Sequence, residues 1–309
     1  VYIGGHIVSK KLKSYLRSLK GVEQIRISQE ADIEDTFMHL TKVMDLPNSD
    51  AMSWLDNFGW HNHWEDYRKL WMDALAKSYE RKENFKPEFS SLATVKEFFS
   101  QLQKVEPQDF KAFTLGDKDA HDDGIYDRKF DTFLPGMMSS VISGNSSAIR
   151  LMNLYADRHV YCNRGVNGIE GSLSTAVGFS MCKNMSDKHV YCVLGDLSFF
   201  YDQNALWNRN LNGKLRIIVL NNGGGAIFGK FQGLKESQAR EEMVMAKHHA
   251  TAEGICSQNE VKYLAAHTME EMEQGISQLI HAESERPMLL EVFTDMDVGN
   301  EMLEAIQKC

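Results

Sequence analysis

Two polar side chains directly follow long apolar runs, in positions where they could bind a metal ion. Asp196 ends the run "VYCVLGD", and Asn222 ends the run "LRIIVLNN" 26 residues later. A carboxylate, an amide oxygen and a backbone carbonyl from the glycines that follow are hard ligands of the kind Mg²⁺ uses, with phosphate and water completing its shell. The backbone N–H groups after Gly195, at the start of the next helix, suit a phosphate. This arrangement predicts a Mg²⁺–diphosphate site.

Each half of this prediction has an alternative. Asp196 could instead be the N-cap of the helix that follows, although the "NN" pair at the end of a neighbouring strand favours a metal ligand. The stretch "GGAIFGKF", which starts at Gly224, matches the G-x-x-x-x-G-K spacing of a nucleotide-binding loop. Phe231 stands where that loop needs Ser or Thr to hold magnesium, and Ile227 and Phe228 are bulky where the loop must wrap closely. The nucleotide loop is the weaker interpretation.

Two further stretches combine arginine with a tight turn. "SGNSSAIR" places Ser146 at a strand–helix turn and Arg150 one helical turn later, so that their side chains share a face. "YCNRGVNGIEG" ends a strand with Arg164 and spaces three glycines at three-residue intervals, as expected where the backbone approaches a ligand closely. Arginines at two strand ends suggest recognition of carboxylates, with surface salt bridges as the alternative. Lys10 and Lys11 lie at a helix N-terminus, where cations are unfavourable unless an anion binds.

These residues must be positioned by a parallel sheet. From about residue 139 onward, strands alternate with helices, and several strands are continuous Val/Ile/Leu runs, as in a sheet covered by helices on both faces. We therefore predict a doubly wound α/β sheet, in which ligands bind beyond the carboxyl ends of the strands. The first 30 residues predict a βαβ fragment. "FKP" at residues 85–87 breaks a helical pattern, which predicts a domain boundary between residues 1–84 and 85–309.

The composition excludes several classes of function. Hydrophobic residues make up 43% and charged residues 25%, a composition that predicts a soluble globular protein. A net charge of -9 argues against a general nucleic-acid binder. No apolar run approaches the roughly 18 residues of a membrane span, and no secretory signal is present. Five scattered cysteines without a Cys-x-x-Cys pair predict reduced thiols in a cytoplasmic protein.

Four motifs together resemble one enzyme family. "GNSSAIR", "CNRGVNGIEG", "GDLS" and "NNGGGAIF" follow the order found in the 2-succinyl-5-enolpyruvyl-6-hydroxy-3-cyclohexene-1-carboxylate synthases of menaquinone biosynthesis, which are thiamine diphosphate enzymes. The Gly-Asp and Asn-Asn pair alone is shared across thiamine diphosphate enzymes, whereas the combination is specific. The resemblance is strong over residues 139–298 and weak over residues 1–30. Lys11 stands where the family usually has arginine, Gly223 where it has asparagine, and Glu170 where it has aspartate.

The resemblance implies the cofactors thiamine diphosphate and Mg²⁺ or Mn²⁺. The implied metal ligands are Asp196, Asn222 and the backbone carbonyl of Gly224. The implied cofactor-binding residues are Gly195, Asp196, Leu197, Ser198, Ile169, Asn222, Gly224 and Gly225, with Ile169 as the bulky residue that bends the cofactor. The implied substrate-binding residues are Ser146, Arg150, Arg164, Lys10, Lys11, Ile227 and Phe228, the last two as an apolar wall.

The reaction implied by the resemblance is a carbon–carbon bond-forming transfer. 2-Oxoglutarate is decarboxylated, and the succinyl carbanion adds in 1,4 fashion to isochorismate. A homodimer or homotetramer is expected for the complete protein. The alternatives are another thiamine diphosphate enzyme, such as a 2-oxoacid decarboxylase or an acetolactate synthase, or a non-catalytic nucleotide-binding module.

The start of the chain carries a further expectation. "VYIGG" reads as the end of a strand, and the family has a catalytic glutamate in an N-terminal domain that is not among these 309 residues. The resemblance therefore implies a C-terminal fragment, in which residues 1–84 are the remnant of a central α/β domain and residues 85–309 are the diphosphate- and magnesium-binding domain. We expect this fragment alone to bind cofactor weakly and to be inactive.

Overall fold

The computed structural model describes residues 1–3, 7, 9–29, 33–57, 64–106, 139–165, 167–182, 188–230 and 237–308. The chain divides into two units, Val1–Ala76 and Lys77–Cys309. The domain boundary between residues 84 and 85 stays a prediction. Most of residues 104–137, which match no predicted element, lie outside the described residues.

The first unit contains, within its described residues, a parallel three-stranded sheet of order β1-β2-β3. Its elements are β1 (Tyr2–Ile3), α1 (Lys10–Ser18), β2 (Gln24–Ser28), β3 (Leu40–Asp45) and α2 (Asn48–Asp56). Helix α3 (Trp64–Asn84) runs across the division between the units. β1 pairs with β2 in parallel, which agrees with the predicted βαβ fragment. α1 begins where Ser9 Oγ accepts a hydrogen bond from Leu12 N at 3.1 Å, an N-cap contact.

The second unit is built on a six-stranded parallel sheet of order β5-β4-β6-β7-β9-β8 within the described residues. Its strands are β4 (Ser140–Ser143), β5 (Val160–Cys162), β6 (Val190–Gly195), β7 (Leu215–Asn221), β8 (Lys262–Ala266) and β9 (Met288–Phe293). Its helices are α4 (Ser91–Val105), α5 (Ser147–Tyr155), α6 (Ser172–Met181), α7 (Asp196–Tyr201), α8 (Glu253–Gln258), α9 (Met269–His281) and α10 (Met296–Lys308).

Helices cover both faces of this sheet, because its central strands are apolar on both sides. On one face, α4, α5 and α9 pack with alternate strand residues such as Val193 and Ile218. On the other face, α6, α7 and α8 pack with the residues between them, such as Cys192 and Val219. The predicted doubly wound α/β fold is confirmed.

The strand order places a topological switch point between β4 and β6. From β4 the chain passes to β5 on one side, and it then returns to β6 on the other side. The carboxyl ends of β4 and β6 are therefore followed by loops that leave in opposite directions, which opens a crevice between them. Ser146 follows β4, and Asp196 follows β6. The fold thus brings two of the predicted motifs to one edge of the sheet.

The helix predicted after β6 is shorter than expected. α7 ends at Tyr201, and a 3₁₀ turn over Gln203–Trp207 follows it. The reason is Asp202, whose carboxylate accepts hydrogen bonds from Ser174 N at 2.7 Å and Ser174 Oγ at 2.5 Å, and so fixes the break against α6. No helix in the described ranges is both long enough and apolar enough to cross a membrane.

Candidate functional site

Asp196 lies at the centre of the candidate site and is almost completely buried, with 3% of its surface exposed. It is the first residue of α7, and the N-cap is Gly195, which makes no side-chain capping bond. Asp196 is therefore not the N-cap. Its Oδ1 accepts a hydrogen bond from Leu197 N at 2.7 Å, and its Oδ2 accepts one from Gly224 N at 2.9 Å. The second bond joins the ends of β6 and β7, as the 26-residue spacing predicts.

The pKa of the Asp196 carboxyl is raised above its ordinary value because the group is buried. Hydrogen bonds from the backbone at Leu197 and Gly224 and the nearby ring of His248 oppose this shift. A cation bound at this position would favour the ionised form in the same way. The carboxylate is thus held in a place where positive charge is stabilising.

Asn222 provides the test of whether the residues present fit a cation. Its side-chain Oδ1 is buried and has no hydrogen-bond partner among the described residues. Buried acceptors are rarely left without a partner unless an ion or water occupies the position. The carbonyl of Gly224 accepts one hydrogen bond, from Ala226 N at 3.1 Å, and retains a second lone pair. Together with Asp196 these oxygens fit a magnesium ion, which prefers such hard ligands.

The glycine run after β7 is shaped by protein contacts. Gly224 has φ +148°, and a Cβ at this position would lie 2.7 Å from the carbonyl oxygen of Met245, so no other residue fits without displacement. The N–H groups of Gly223, Gly224 and Gly225 bond to Asn221 Oδ1, Asp196 Oδ2 and the Met245 carbonyl, respectively. A nucleotide-binding loop needs these N–H groups for phosphate, so the geometry argues against that interpretation.

Residues 245–250, called here the strap, pack along the glycine run. His248 N donates to the Gly223 carbonyl at 3.0 Å, and Ala246 has φ +47°, a conformation that costs energy outside glycine. His248 Nδ1 accepts a hydrogen bond from Ala250 N at 3.1 Å, which places the proton of the neutral ring on Nε2. That Nε2 lies 3.3 Å from Asp196 Oδ2. No motif marks His248, and sequence reasoning missed it.

The arginine motifs meet beside the ends of β4 and β5. Arg164 Nη1 donates to Asn145 Oδ1 at 3.0 Å, and Asn145 Nδ2 donates to the Gly168 carbonyl at 3.0 Å. Partial burial and the positive charge of Arg164 lower the pKa of Arg150, so two like charges lie close together. Ser146 has φ +66° and ψ -121°, a strained conformation for a residue with a side chain. Such a region suits a ligand with carboxylate groups. Asn145 was not among the predicted site residues.

Comparison with known proteins identifies the family. The family described as thiamine pyrophosphate enzyme, C-terminal TPP binding domain, matches residues 143–292, a range that contains every predicted site residue except Lys10 and Lys11. A 2-succinyl-5-enolpyruvyl-6-hydroxy-3-cyclohexene-1-carboxylate synthase from Phocaeicola vulgatus is 33% identical over 311 residues, covering 97% of this chain and 47% of its own length. Residues 143–292 of this chain belong to the family of C-terminal TPP binding domains of thiamine pyrophosphate enzymes.

Further relatives agree with this family. A protein of the same name from Christiangramia forsetii is 43% identical over 163 residues, which are 52% of this chain and 28% of that protein. The family recognised from the four motifs is thus confirmed. The chain spans about half the length of the curated relatives it matches over 97% of its residues. A benzoylformate decarboxylase structure from Polynucleobacter necessarius aligns with a TM-score of 0.43 at 16% identity, over 51% of this chain and 30% of that chain.

In the matched TPP binding domain, the loop before α6 carries Ile169, the predicted cofactor wedge. Ile169 is half-buried, and its N–H donates to Glu170 Oε2 at 2.9 Å. Gly171 has φ +80° and is the N-cap of α6. Asn163 Nδ2 donates to the Gly171 carbonyl at 3.2 Å and to Thr175 Oγ1 at 2.9 Å, which fixes the end of the loop. Of the three spaced glycines, Gly171 therefore needs its conformational freedom.

The remaining predicted site residues lie in two places. Ile227 is half-buried and Phe228 is 41% exposed, in a 3₁₀ turn over Ala226–Lys230 that follows the glycine run. Lys10 and Lys11 are exposed in α1 of the first unit. The described residues hold no cluster of three or more His, Cys, Asp or Glu side chains able to bind a metal. The predicted magnesium site would not form such a cluster, because two of its three protein ligands would be an amide and a carbonyl oxygen.

Proposed function

We propose that this chain provides the diphosphate- and magnesium-binding part of a synthase that decarboxylates 2-oxoglutarate and adds the succinyl carbanion to isochorismate. The observation that carries the proposal is the buried Oδ1 of Asn222, which has no partner among the described residues. Asn222 follows β7, and Asp196 follows the neighbouring strand β6. The names of the relatives support the reaction. Assembly as a homodimer or homotetramer, and a cytoplasmic location, stay predictions.

The roles of the residues follow from their positions. Asp196, Asn222 and the Gly224 carbonyl would hold Mg²⁺ or Mn²⁺, and the metal would in turn hold the diphosphate. Thiamine diphosphate, when bound, supplies the nucleophilic carbon and the electron sink for decarboxylation. Gly195, Leu197, Ser198 and Gly225 flank the metal ligands, at the start of α7 and in the glycine run.

The substrate side of the site uses different residues. Ile169, Ile227 and Phe228 would supply apolar surface that excludes water from the reacting centre. Ser146, Arg150 and Arg164 would orient substrate carboxylates, and two adjacent arginines favour a dicarboxylate such as 2-oxoglutarate over pyruvate. Lys10 and Lys11 are proposed to contribute further positive charge toward anionic substrates.

The first test measures cofactor binding by calorimetry with Mg²⁺ and thiamine diphosphate on the intact protein. Asp196→Asn is expected to weaken binding by about 100-fold or more, because it removes the charged metal ligand. Asp202→Asn is a matched control: Asp202 is equally buried, ends the same helix, and has both oxygens bonded to Ser174. Binding that persists in Asp196→Asn, or that falls equally in both folded variants, contradicts the proposal.

The second test separates the proposed reaction from that of a related thiamine pyrophosphate enzyme. The intact protein is assayed for release of CO₂ from 2-oxoglutarate and from pyruvate, with and without isochorismate. We expect turnover of 2-oxoglutarate and consumption of isochorismate. Turnover of pyruvate alone would favour a decarboxylase or an acetolactate synthase.

A further inference from the structure

Glu291 is a carboxylate at the centre of an otherwise apolar strand, and it is fully buried. It lies on β9 in the run "MLLEVF" and faces the layer that contains α8. Three donors surround it. Its Oε1 accepts from Asn221 Nδ2 at 2.7 Å, and its Oε2 accepts from Ala252 N at 2.8 Å and from Tyr263 Oη at 2.8 Å. Burying a carboxylate is costly, so this placement needs an explanation beyond packing.

One of these donors connects Glu291 to the glycine run. Asn221 Nδ2 is shared between Glu291 Oε1 and the Ala250 carbonyl, at 2.7 and 3.0 Å. With its amide nitrogen fixed in this direction, Asn221 turns its Oδ1 toward Gly223 N, which donates at 3.1 Å. The opposite amide orientation would place two donors against each other at Gly223. Glu291, together with the Ala250 carbonyl, therefore determines which way the Asn221 amide faces.

The Asn221 amide in turn fixes the backbone that carries the proposed metal ligands. The bond to Gly223 N spans Asn222 and closes a turn in which Gly223 has φ +77°. Such local side-chain to backbone bonds stabilise turns of this kind. Asn222 lies inside this turn, and Gly224 follows it directly. A change in the Asn221 amide would therefore move both ligands.

Glu291 also anchors the strap on which the glycine run packs. Ala252 N, just after the strap, donates to Glu291 Oε2, and Ala250 is tied to Asn221. The strap contacts the glycine run through the Met245 carbonyl, which accepts from Gly225 N at 2.6 Å. The Glu291 carboxylate is thus connected, through hydrogen bonds, to both the glycine run and the strap at the edge of the candidate site.

We propose that Glu291 is a positioning residue, which acts through Asn221 to set the turn that presents Asn222 and the Gly224 carbonyl to the metal ion. The part of the proposal that concerns the metal rests on the proposed function, whereas the part that concerns the turn does not. The competing explanation is that Glu291 stabilises the fold only, by joining β9 to Tyr263 and α8.

The test uses Glu291→Gln in the intact protein, with Tyr263→Phe as its matched control. In Glu291→Gln, the Ala252 N–H and the Tyr263 hydroxyl hold the new amide oxygen on their side, so the new NH₂ group faces Asn221 Nδ2. Two donors then oppose each other, and the Asn221 amide is expected to turn over and lose its bond to Gly223. Tyr263→Phe removes a donor from the same carboxylate and leaves the Asn221 contact in place. The two variants therefore separate the link to the turn from the contribution to stability.

Two measurements are made on each variant. Without ligands, amide hydrogen exchange at Gly223, Gly224 and Gly225 is expected to be about tenfold faster or more in Glu291→Gln than in Tyr263→Phe or the wild type. With thiamine diphosphate present, calorimetry is expected to give a Mg²⁺ affinity about 10- to 100-fold weaker in Glu291→Gln and close to wild type in Tyr263→Phe.

Two further variants keep the test decisive. Asn221→Asp in the Glu291→Gln background provides a carboxylate that can accept both from the new amide and from Gly223 N. It is expected to restore slow exchange in the turn in part, because the bond to the Ala250 carbonyl is lost. Asn221→Ala removes both the link to Glu291 and the bond to Gly223 N without changing Glu291. It is expected to match Glu291→Gln in both measurements, and it replaces that variant if Glu291→Gln does not fold.

The outcomes separate clearly. Equal effects of Glu291→Gln and Tyr263→Phe on both measurements overturn the proposal and leave Glu291 a fold-stabilising residue. A faster-exchanging turn with unchanged Mg²⁺ affinity overturns the positioning role as well. If the wild-type protein binds no Mg²⁺ with thiamine diphosphate, the proposed function fails, and the exchange measured without ligands alone decides whether Glu291 sets the turn.

Discussion

At the amino end of the six-stranded sheet, two buried arginines have their donors paired with carboxylates or backbone carbonyls. Arg158 Nη1 lies 2.8 Å from Glu106 Oε2, and Ser139 donates to the same carboxylate through both its N–H and its hydroxyl. Arg216, which is 1% exposed, donates to the backbone carbonyls of three residues at the ends of loops and of α9. These acceptors belong to Gly213, Leu279 and Ala282.

At the carboxyl end of the same sheet, polar groups lie in positions that the protein alone does not favour. Asn222 Oδ1 is buried without a partner among the described residues. Arg150 and Arg164 are close enough for the charge of one to lower the pKa of the other. Ser146 has a positive φ. One end of this sheet therefore contributes mainly to stability, whereas the other has the unpartnered groups and backbone strain that are typical of ligand-binding sites.

The first prediction concerns the ion pair between Arg158 and Glu106 at the amino end, and it has the greatest effect on stability. Arg158→Ala leaves the carboxylates of Glu106 and Asp157, both largely buried, without their cation, which is expected to reduce the free energy of unfolding by about 3 to 5 kcal/mol. Mg²⁺ affinity of the folded protein is expected to stay unchanged, because the pair lies at the opposite end of the strands. Urea unfolding and calorimetry check the two statements.

A double variant is the control for this prediction. Arg158→Met with Glu106→Gln removes both charges of this pair, and it is expected to recover much of the lost stability. Of the two carboxylates that Arg158 contacts, only that of Asp157 is then left without its cation. If the double variant is as unstable as Arg158→Ala alone, the loss comes from packing, and the comparison of the two ends weakens.

The second prediction compares two asparagines at opposite ends of β7. Asn222→Ala is expected to weaken Mg²⁺ binding by about 100-fold, equivalent to about 3 kcal/mol, while stability stays the same or rises slightly because an unpartnered acceptor is removed. Asn212, before β7, is fully bonded, since it donates to the Ser180 carbonyl at 3.2 Å and accepts from Lys214 N at 3.0 Å.

Asn212→Ala is expected to behave in the opposite way. It removes two satisfied hydrogen bonds, so the free energy of unfolding should fall by about 1 to 2 kcal/mol with Mg²⁺ affinity unchanged. The measurements are again denaturant unfolding and calorimetry. Loss of stability without loss of Mg²⁺ affinity in Asn222→Ala would show that Asn222 is not a metal ligand.

The parts of the fold that the sequence predicts are those set by local burial. Continuous apolar runs such as β6 and β7 can only be strands buried on both faces, and their spacing predicts the helices between them. β3, "LTKVMD", mixes polar and apolar residues and gives no such signal, and α8 spans six residues, too few for a helical period. The position of β8 outside β9 depends on a crossover that no local pattern encodes.

Some residues of the candidate site can likewise be predicted from local sequence, and others cannot. Asp196 and Asn222 could be predicted because each directly ends an apolar run, and parallel strands bring their carboxyl ends together. Glu291 contacts Asn221 across 70 residues of sequence, and His248 reaches Asp196 through the fold of the strap. Such contacts depend on tertiary packing, so sequence reasoning missed both residues. A single carboxylate in the run "MLLEVF" was the available signal for Glu291.

The third prediction concerns acid sensitivity at the amino end. Burial, assisted by the charge of Arg216, lowers the pKa of His189 to about 4. The unfolded chain takes up a proton below about pH 6.5, whereas the folded protein does so near pH 4. Stability is therefore present above pH 6.5 and is lost as the pH falls toward 4, by about 1 to 2 kcal/mol after allowance for solvent screening of a partly exposed ring.

His189→Gln isolates this contribution from the carboxylates that titrate in the same range. Urea unfolding from pH 7 to pH 4 is expected to show a shallower loss of stability in the variant than in the wild type. Identical slopes for the two proteins would mean that His189 is protonated in the folded state at its ordinary pKa.

The fourth prediction concerns the contact between Asn145 and Arg164 at the carboxyl end, and its effect is the weakest of the four. Asn145→Ala removes the acceptor that orients Arg164, and it is expected to raise the KM for 2-oxoglutarate about fivefold with kcat unchanged, which corresponds to the loss of about 1 kcal/mol of substrate binding. Asn163→Ala is the matched control, because Asn163 is an amide in the same region that bonds to Gly171 and Thr175. It is expected to lower stability by a similar amount without changing the KM. A KM that rises equally in both variants would mean that the loop as a whole shapes the site, and that Asn145 has no separate influence on Arg164.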